Sequence, residues 1–215
     1  MNGLWSIGIG SLMATMACGS RAEIVATNLP VPLFMRSEFF AIPYPIDLNA
    51  DSIIDFTFNA DYTSVGLFAN ASNRLVYRVE PPPNLGGPVA SLPGGLLIAS
   101  NLTDSSVAWG SSVGYGYYGL ISVLISGSST DFNGRGYIGL EFGLPDGTHY
   151  GYFDLDAGPG FPAATLYGWA YETTPGVPIV AGAVPEPSSL WLLVAAGLAG
   201  ACIRIWRLRR GSEAS

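Results

Sequence analysis

Gly136-Tyr137-Ile138-Gly139-Leu140-Glu141-Phe142 alternates. Successive side chains of an extended chain point to opposite faces, so Ile138, Leu140 and Phe142 share an apolar face while Tyr137 and Glu141 point the other way. Pro145-Asp146-Gly147 follows, a turn that a helix would not tolerate, and then a second β-rich run at 149–156. Further on, Thr165-Leu166-Tyr167-Gly168-Trp169-Ala170-Tyr171 puts three aromatics on one face and Leu166, Gly168 and Ala170 on the other. The expected role of the aromatic face is core packing against an opposite sheet; an exposed platform for sugar rings is the other reading.

Working outward from these runs, short β-rich stretches occur at 53–59, 62–68, 75–80, 96–100, 106–109 and 117–126, separated by breakers such as Pro81-Pro82-Pro83-Asn84 and Pro93-Gly94-Gly95. No window of helical period competes with them. Residues 23–45 hold prolines at 30, 32, 43 and 45 and read as an extended lead-in, with 33–40 able to form an early strand. About nine strands at this spacing predict an all-β fold, an antiparallel, jelly-roll-like β-sandwich.

The chain has 215 residues, and all nine of its basic residues are arginines. Between residues 23 and 183 four arginines face fourteen acids, a net charge of −10 against −7 for the whole chain. That balance argues against nucleic acid, which needs clustered positive charge; cations or uncharged glycans suit it better. Both cysteines, Cys18 and Cys202, lie outside residues 23–183, so that body has no disulfide, no thiol catalysis and no thiolate metal site. Charged residues are 12% of the chain, about half the usual quarter, which suits an extracellular β domain better than a cytosolic enzyme.

One stretch of the body suggests a site. Asp47-Leu48-Asn49-Ala50-Asp51-Ser52-Ile53-Ile54-Asp55 carries oxygen side chains at relative positions 1, 3, 5 and 9. With the Ile53 carbonyl at position 7, these could wrap a hard cation, and calcium's tolerance of irregular oxygen shells makes it the expected metal. Position 12 is Phe58 rather than the Glu of an EF-hand. The loop resembles the D-x-[DN]-x-D-G-x-x-D calcium loops of integrin-type and other extracellular β proteins, with Ser52 in place of Gly.

Catalysis finds little support. His149 is the single histidine, no G-x-S-x-G elbow occurs, and a packed or exposed strand histidine is expected. The reading is therefore of a non-enzyme. The alternative is a polysaccharide-active hydrolase using Glu141, Asp154 and Glu172, which requires two carboxyls about 5–10 Å apart.

The two ends carry addresses. Residues 4–17 form an apolar h-region, and Ser20-Arg21-Ala22 places small residues where signal peptidase needs them, so residues 1–22 read as a Sec signal peptide cleaved after Ala22. At the other end, Val184-Pro185-Glu186-Pro187-Ser188 precedes an uncharged apolar run at 190–203 and then Arg204, Arg207, Arg209 and Arg210. Extended into its flanks, the run reaches about nineteen residues and can span a bilayer with its arginines on the cytoplasmic side.

Pro185-Glu186-Pro187, a short span and a terminal arginine cluster, in that order, resemble the PEP-CTERM sorting signal of Gram-negative bacteria, which is recognised by the membrane protease exosortase. The resemblance implies that residues 184–215 anchor the protein transiently in the inner membrane and are cut near the Pro-Glu-Pro motif. The 23–183 ectodomain then reaches the cell surface or the exopolysaccharide matrix. Gly139-Leu140-Glu141-Phe142, 146–152 and Gly168-Trp169-Ala170-Tyr171-Glu172 are also similar to the terminal strands of other PEP-CTERM proteins. Exosortase, signal peptidase and an exopolysaccharide are the expected partners, and a matrix-binding or structural role the expected function.

Overall fold

The protein is described by a computed structural model covering residues 22–36, 38–79, 88–111, 123–126, 131–157 and 163–185. The signal-peptide reading (apart from Ala22) and the apolar run with its arginine cluster lie outside the described residues. Within them the chain is all-β and antiparallel, and no helix is long and apolar enough to cross a membrane.

Among the described residues, twelve strands form three sheets. The largest is ordered β1 (Ile24–Met35), β11 (Ala164–Glu172), β10 (Gly147–Ala157), β9 (Gly134–Leu144), β5 (Arg74–Arg78), β7 (Val107–Gly110). A second runs β2 (Ile42–Ile46), β3 (Phe56–Ala60), β4 (Ser64–Ala69), β8 (Val123–Ser126), and a ribbon joins β6 (Leu97–Ile98) to β12 (Ile179–Val180). The alternating run at 136–142 lies inside β9, and the Pro-Asp turn closes the β9–β10 hairpin, whose eleven paired positions run unbroken from Leu144↔Gly147 to Gly134↔Ala157. A two-residue connection keeps the register this tight because it leaves no slack in the chain.

Both faces of the large sheet are covered. Ile138, Leu140, Phe142, Phe153, Leu155 and Leu166 share a core with Phe56, Phe58, Val65 and Leu67 of the four-stranded sheet. On the reverse face Val76, Tyr150, Tyr152 and Ala170 pack with Ala90, Leu92, Ile98, Ile179 and Ala181, so the segment from 89 to 107 and the β6–β12 ribbon act as a lid. Polar-out alternation therefore fails for the central strands: Glu141 is among the buried charges.

The β11 faces differ from the strict alternation expected. Phe153 pairs with Trp169 and Leu155 with Leu166, so the β11 side gains one residue at a bulge between Asp154 and Leu155 of β10. Directly paired residues share a face, and the bulge thus puts Leu166, Trp169 and Tyr171 on the core side together. Tyr167 is left outside under the Arg135 guanidinium, 4.2 Å from its ring centroid. The aromatics consequently form no flat stripe for a sugar. Beside the bulge, a Cβ on Gly168 would lie 2.2 Å from the Thr27 carbonyl oxygen of β1, so only glycine lets the two backbones approach there.

The prolines explain two strands that the composition hides. Pro30 and Pro32 fall where β1 loops out of register with β11, between Asn28 and Leu33. Pro43 and Pro45 sit in β2, an edge strand, where a missing N–H can face away from the sheet.

Candidate functional site

The acidic loop follows the end of β2 and is organised by its own backbone. Asp47 accepts from the amides of Asp51 (3.2 Å) and Ser52 (2.7 Å), Asn49 Oδ1 from Asp51 N (3.2 Å), and Asp51 Oδ1 from Ile53 N (2.8 Å). These are Asx-type turns, the usual use of Asp and Asn where a chain must reverse. Ala50 and Ser52 both adopt positive φ, 62° and 73°. Ser52 thus takes the conformation in which the calcium-loop pattern has glycine, at the cost of some strain.

Asp55 is the buried member of the set. Its Oδ2 accepts from Leu48 N at 2.9 Å, closing the loop, and the Asp55 carbonyl accepts from Asn73 Nδ2 at 3.1 Å. Burial raises its carboxyl above the ordinary value, and the charges of Asp51 and Asp47 add to that rise. The loop therefore brings three carboxylates near enough to repel one another, which a bound cation would relieve. Among the described residues no group of three or more His, Cys, Asp or Glu side chains is arranged to hold a metal. Much of the oxygen set is instead spent on backbone amides.

The sign of the Asp55 shift gives a test. A carboxyl with a raised folded pKa takes up protons on folding, so its charge opposes folding at neutral pH and that opposition fades as pH falls toward its ordinary value of about 4. In chelator-treated buffer, Asp55→Asn is expected to raise the melting temperature at pH 7, with the gain shrinking toward about pH 4. Thermal melts across that range check it; a variant less stable at pH 7 would show that the Leu48 bond needs the charge.

Of the three carboxylates considered for hydrolysis, Asp154 stands apart from Glu141, whereas Glu172 falls opposite the Tyr150 position that also faces Glu141. Glu141 pairs with Tyr150 and Asp154 with Tyr137 on the same hairpin, four residues apart along the strand, or about 13 Å at the usual rise. Each is also engaged. Arg74 donates to both oxygens of Glu141 at 2.6 Å, and Arg135 to both of Asp154 at 2.8 and 2.7 Å. The Glu141 bond raises the Arg74 pKa, as the Asp154 bond does that of Arg135. Glu172 is buried and its Oε1 accepts from the amides of Glu23 (2.9 Å) and Thr174 (3.0 Å). Arg78 binds Asp131 at 2.6 Å and Arg36 binds Glu38 at 3.1 Å. All four arginines between residues 23 and 183 are thereby in ion pairs.

His149 is fully buried. Its Nδ1 lies 2.8 Å from the Glu172 carbonyl and its Nε2 2.9 Å from Asp146 Oδ1, so the ring ties the β9–β10 turn to the end of β11. Sequence reading finds no signal for this link, because its partners are a turn residue and a backbone oxygen 23 positions away.

The chain leaves the body along the reverse face of the large sheet. Gly176 N bonds Thr148 O (2.8 Å), β12 pairs with β6, and Ala181 N donates to Leu96 O (2.8 Å). Gly182, at φ 80°, lies against the Tyr137 hydroxyl, where a Cβ would come within 2.8 Å. The Tyr152 hydroxyl donates to the Ala183 carbonyl, and burial, with Tyr137 and Asp154 nearby, pushes that phenol up to about 12. Val184, the next residue, is exposed. The chain is bonded to the body up to Ala183 and emerges at the start of the Pro-Glu-Pro segment.

Comparison with known families places a PEP-CTERM protein-sorting motif on residues 183–210. No curated protein and no solved structure is significantly similar to the chain.

Proposed function

From the PEP-CTERM motif, which marks the chain as an exported protein sorted by exosortase, we infer that the body is a non-catalytic surface or matrix protein that binds or packs with exopolysaccharide. The observation that carries this reading is the junction at Ala183. A closed β body, its arginines all in ion pairs, passes directly into the sorting motif, whose second residue, Val184, is exposed. The core shared by the six-stranded and four-stranded sheets supports a β-sandwich as the form of that body. The Sec leader reading gains a geometric argument. Cleavage after Ala22 would put the new α-ammonium where the Glu23 amide now meets the buried Glu172 carboxylate at 2.9 Å, a charge-assisted bond.

Intact-mass analysis of protein from inner membrane, cell surface and matrix of the native host tests the proposal. A species lacking residues 1–22 and the segment beyond the Pro-Glu-Pro motif, found in the surface or matrix fraction, is the expected result. Full-length tail confined to the inner membrane would overturn the matrix role.

Calcium at Asp47, Asn49, Asp51, Asp55 and the Ile53 carbonyl is the accompanying proposal, supported by their spacing and by the mutual repulsion around Asp55. Such an ion would supply charge neutralisation and brace the start of β3. Adding calcium is expected to raise the melting temperature of the wild type, and Asp51→Ala to abolish that rise. A rise of equal size in the variant would remove the ion from this loop.

A further inference from the structure

Glu172, at the end of β11, is a buried carboxylate to which no arginine is given. It is 4% exposed, and each of the four arginines between residues 23 and 183 is paired with a different acid. The His149 ring reaches the Glu172 carbonyl rather than its side chain. Among the described residues the carboxylate is held by two backbone amides, Glu23 N at 2.9 Å and Thr174 N at 3.0 Å, both on Oε1. Neutral donors offset part of the cost of burying a charge; a cation in hydrogen-bond contact offsets more.

One of those two donors is the atom that leader removal would change. Ala22 and Glu23 are both exposed, so the bond between them stands outside the body, while the Glu23 nitrogen already lies on its buried acceptor. Its neighbours fix it there. Thr173 N donates to the Glu23 carbonyl at 2.9 Å, and Ile24 is paired with Glu172 in the β1–β11 ladder. Hydrolysis of the Ala22–Glu23 bond by signal peptidase would place the hydroxyl of water on the Ala22 carbonyl carbon and leave Glu23 as a primary amine. At neutral pH most of that amine takes up a proton, since α-amino groups titrate at about 7.7–8.0. The nitrogen stays where it is, and its charge changes.

We propose that Glu172 is the receiving site for the chain's own processed N-terminus, so that removal of the leader closes an ion pair that locks the start of β1 onto β11. The proposal rests on the reading of residues 1–22 as a leader cleaved after Ala22. Glu172 is buried with or without that cut, so the desolvation of its charge is common to both forms and the new counter-charge is a gain. Glu23 is exposed, so the ammonium gives up little of its own water.

The lock fastens the edge of the large sheet. β1 is its outermost strand beyond β11, and the register break between Asn28 and Leu33 leaves residues 24–28 as a short ladder of their own. The same Oε1 holds Thr174, just before Gly176 and its bond to Thr148. Processing at the N-terminus is thereby tied to the point where the C-terminal segment sets out. The precursor, whose Glu23 nitrogen is a neutral amide, is the less stable form.

The chain has no lysine, so a processed chain carries one primary amine, the one at issue. The test uses chains running to Ser215 in detergent micelles, released from a fusion by a protease that leaves either Glu23 or Ala22 first. The Ala22 form keeps the amide at Glu23 and moves the charge one residue away, about 3.8 Å. The Glu23 form is expected to melt about 3 °C or more above the Ala22 form, and Glu172→Gln, which retains an acceptor for both amides, should erase that difference. An amine-acylating reagent should label the folded Glu23 form several-fold more slowly than its Glu172→Gln variant, because only the unprotonated amine attacks and the ion pair disfavours it. N-terminal sequencing of the protein from its native host scores the cut separately: a first residue other than Glu23 defeats the leader reading on which the proposal stands. Equal melting of the Glu23 and Ala22 forms, or labelling as fast as in Glu172→Gln, overturns the receiving site and leaves Glu172 as a cap on the turn at Thr174. The melting comparison of the two forms decides even where Glu172→Gln does not fold.

Discussion

Replacing Phe153 by alanine is expected to remove about 3–5 kcal/mol of stability, a large fraction of the total for a domain of this size. The ring is wholly buried at the point where the two principal sheets meet. It stands edge-on to Phe56 at 5.6 Å and to Trp169 at 6.5 Å, and tilted against Phe58 at 5.2 Å. Its removal leaves a cavity walled by aromatic rings from two other strands, β3 and β11, whose backbones are tied into ladders, so the space cannot collapse. In thermal melts the loss should appear as a fall of about 10 °C or more. A fall worth under about 1 kcal/mol would mean that the four-stranded sheet does not pack on β10 as described.

His149→Leu is expected to cost about 2–4 kcal/mol, because it keeps the volume but removes a ring that sits between two acceptors, the Glu172 carbonyl and the Asp146 carboxylate, and leaves that buried carbonyl without this partner. The effect should depend on pH. The bond to His149 lowers the Asp146 carboxyl below its ordinary value. A depressed folded pKa contributes stability that is complete above the unfolded value of about 3.9 and is lost as pH falls through the folded one. Wild type and variant should therefore differ most at neutral pH and converge as the solution is acidified below about pH 4. Denaturant titrations at several pH values check this. A constant gap would assign the loss to packing alone. Asp146→Asn removes the charge and leaves the ring buried, so it should show the pH-dependent part of the neutral-pH loss and spare the rest.

The acidic loop shows how a sequence pattern can be legible while its meaning stays open. The spacing of Asp47, Asn49, Asp51 and Asp55 is visible in the chain, but the same oxygens serve as ligands or as turn caps. Here Asp47 and Asp51 each accept from backbone amides, a use that holds with or without a cation beside them. The carboxylates on the sheet make the same point. Glu141 and Asp154 sit on neighbouring strands, as their positions imply, but Arg74, 67 residues away in sequence, takes up Glu141.

The linear chain by itself determined the strands whose pattern is local: β9 and β10 by alternation, their hairpin by Pro145-Asp146-Gly147, and the sorting motif by the order of its parts. Tertiary structure decided what depends on neighbours. A proline reads as a breaker until the strand proves to be an edge with no partner for its N–H, as in β2. The face of Trp169 cannot be counted from Leu166, because a bulge set by the pairing of β10 and β11 inserts a residue between them. Side-chain period is a property of one strand; burial and ion pairing are properties of the sheets that strand joins.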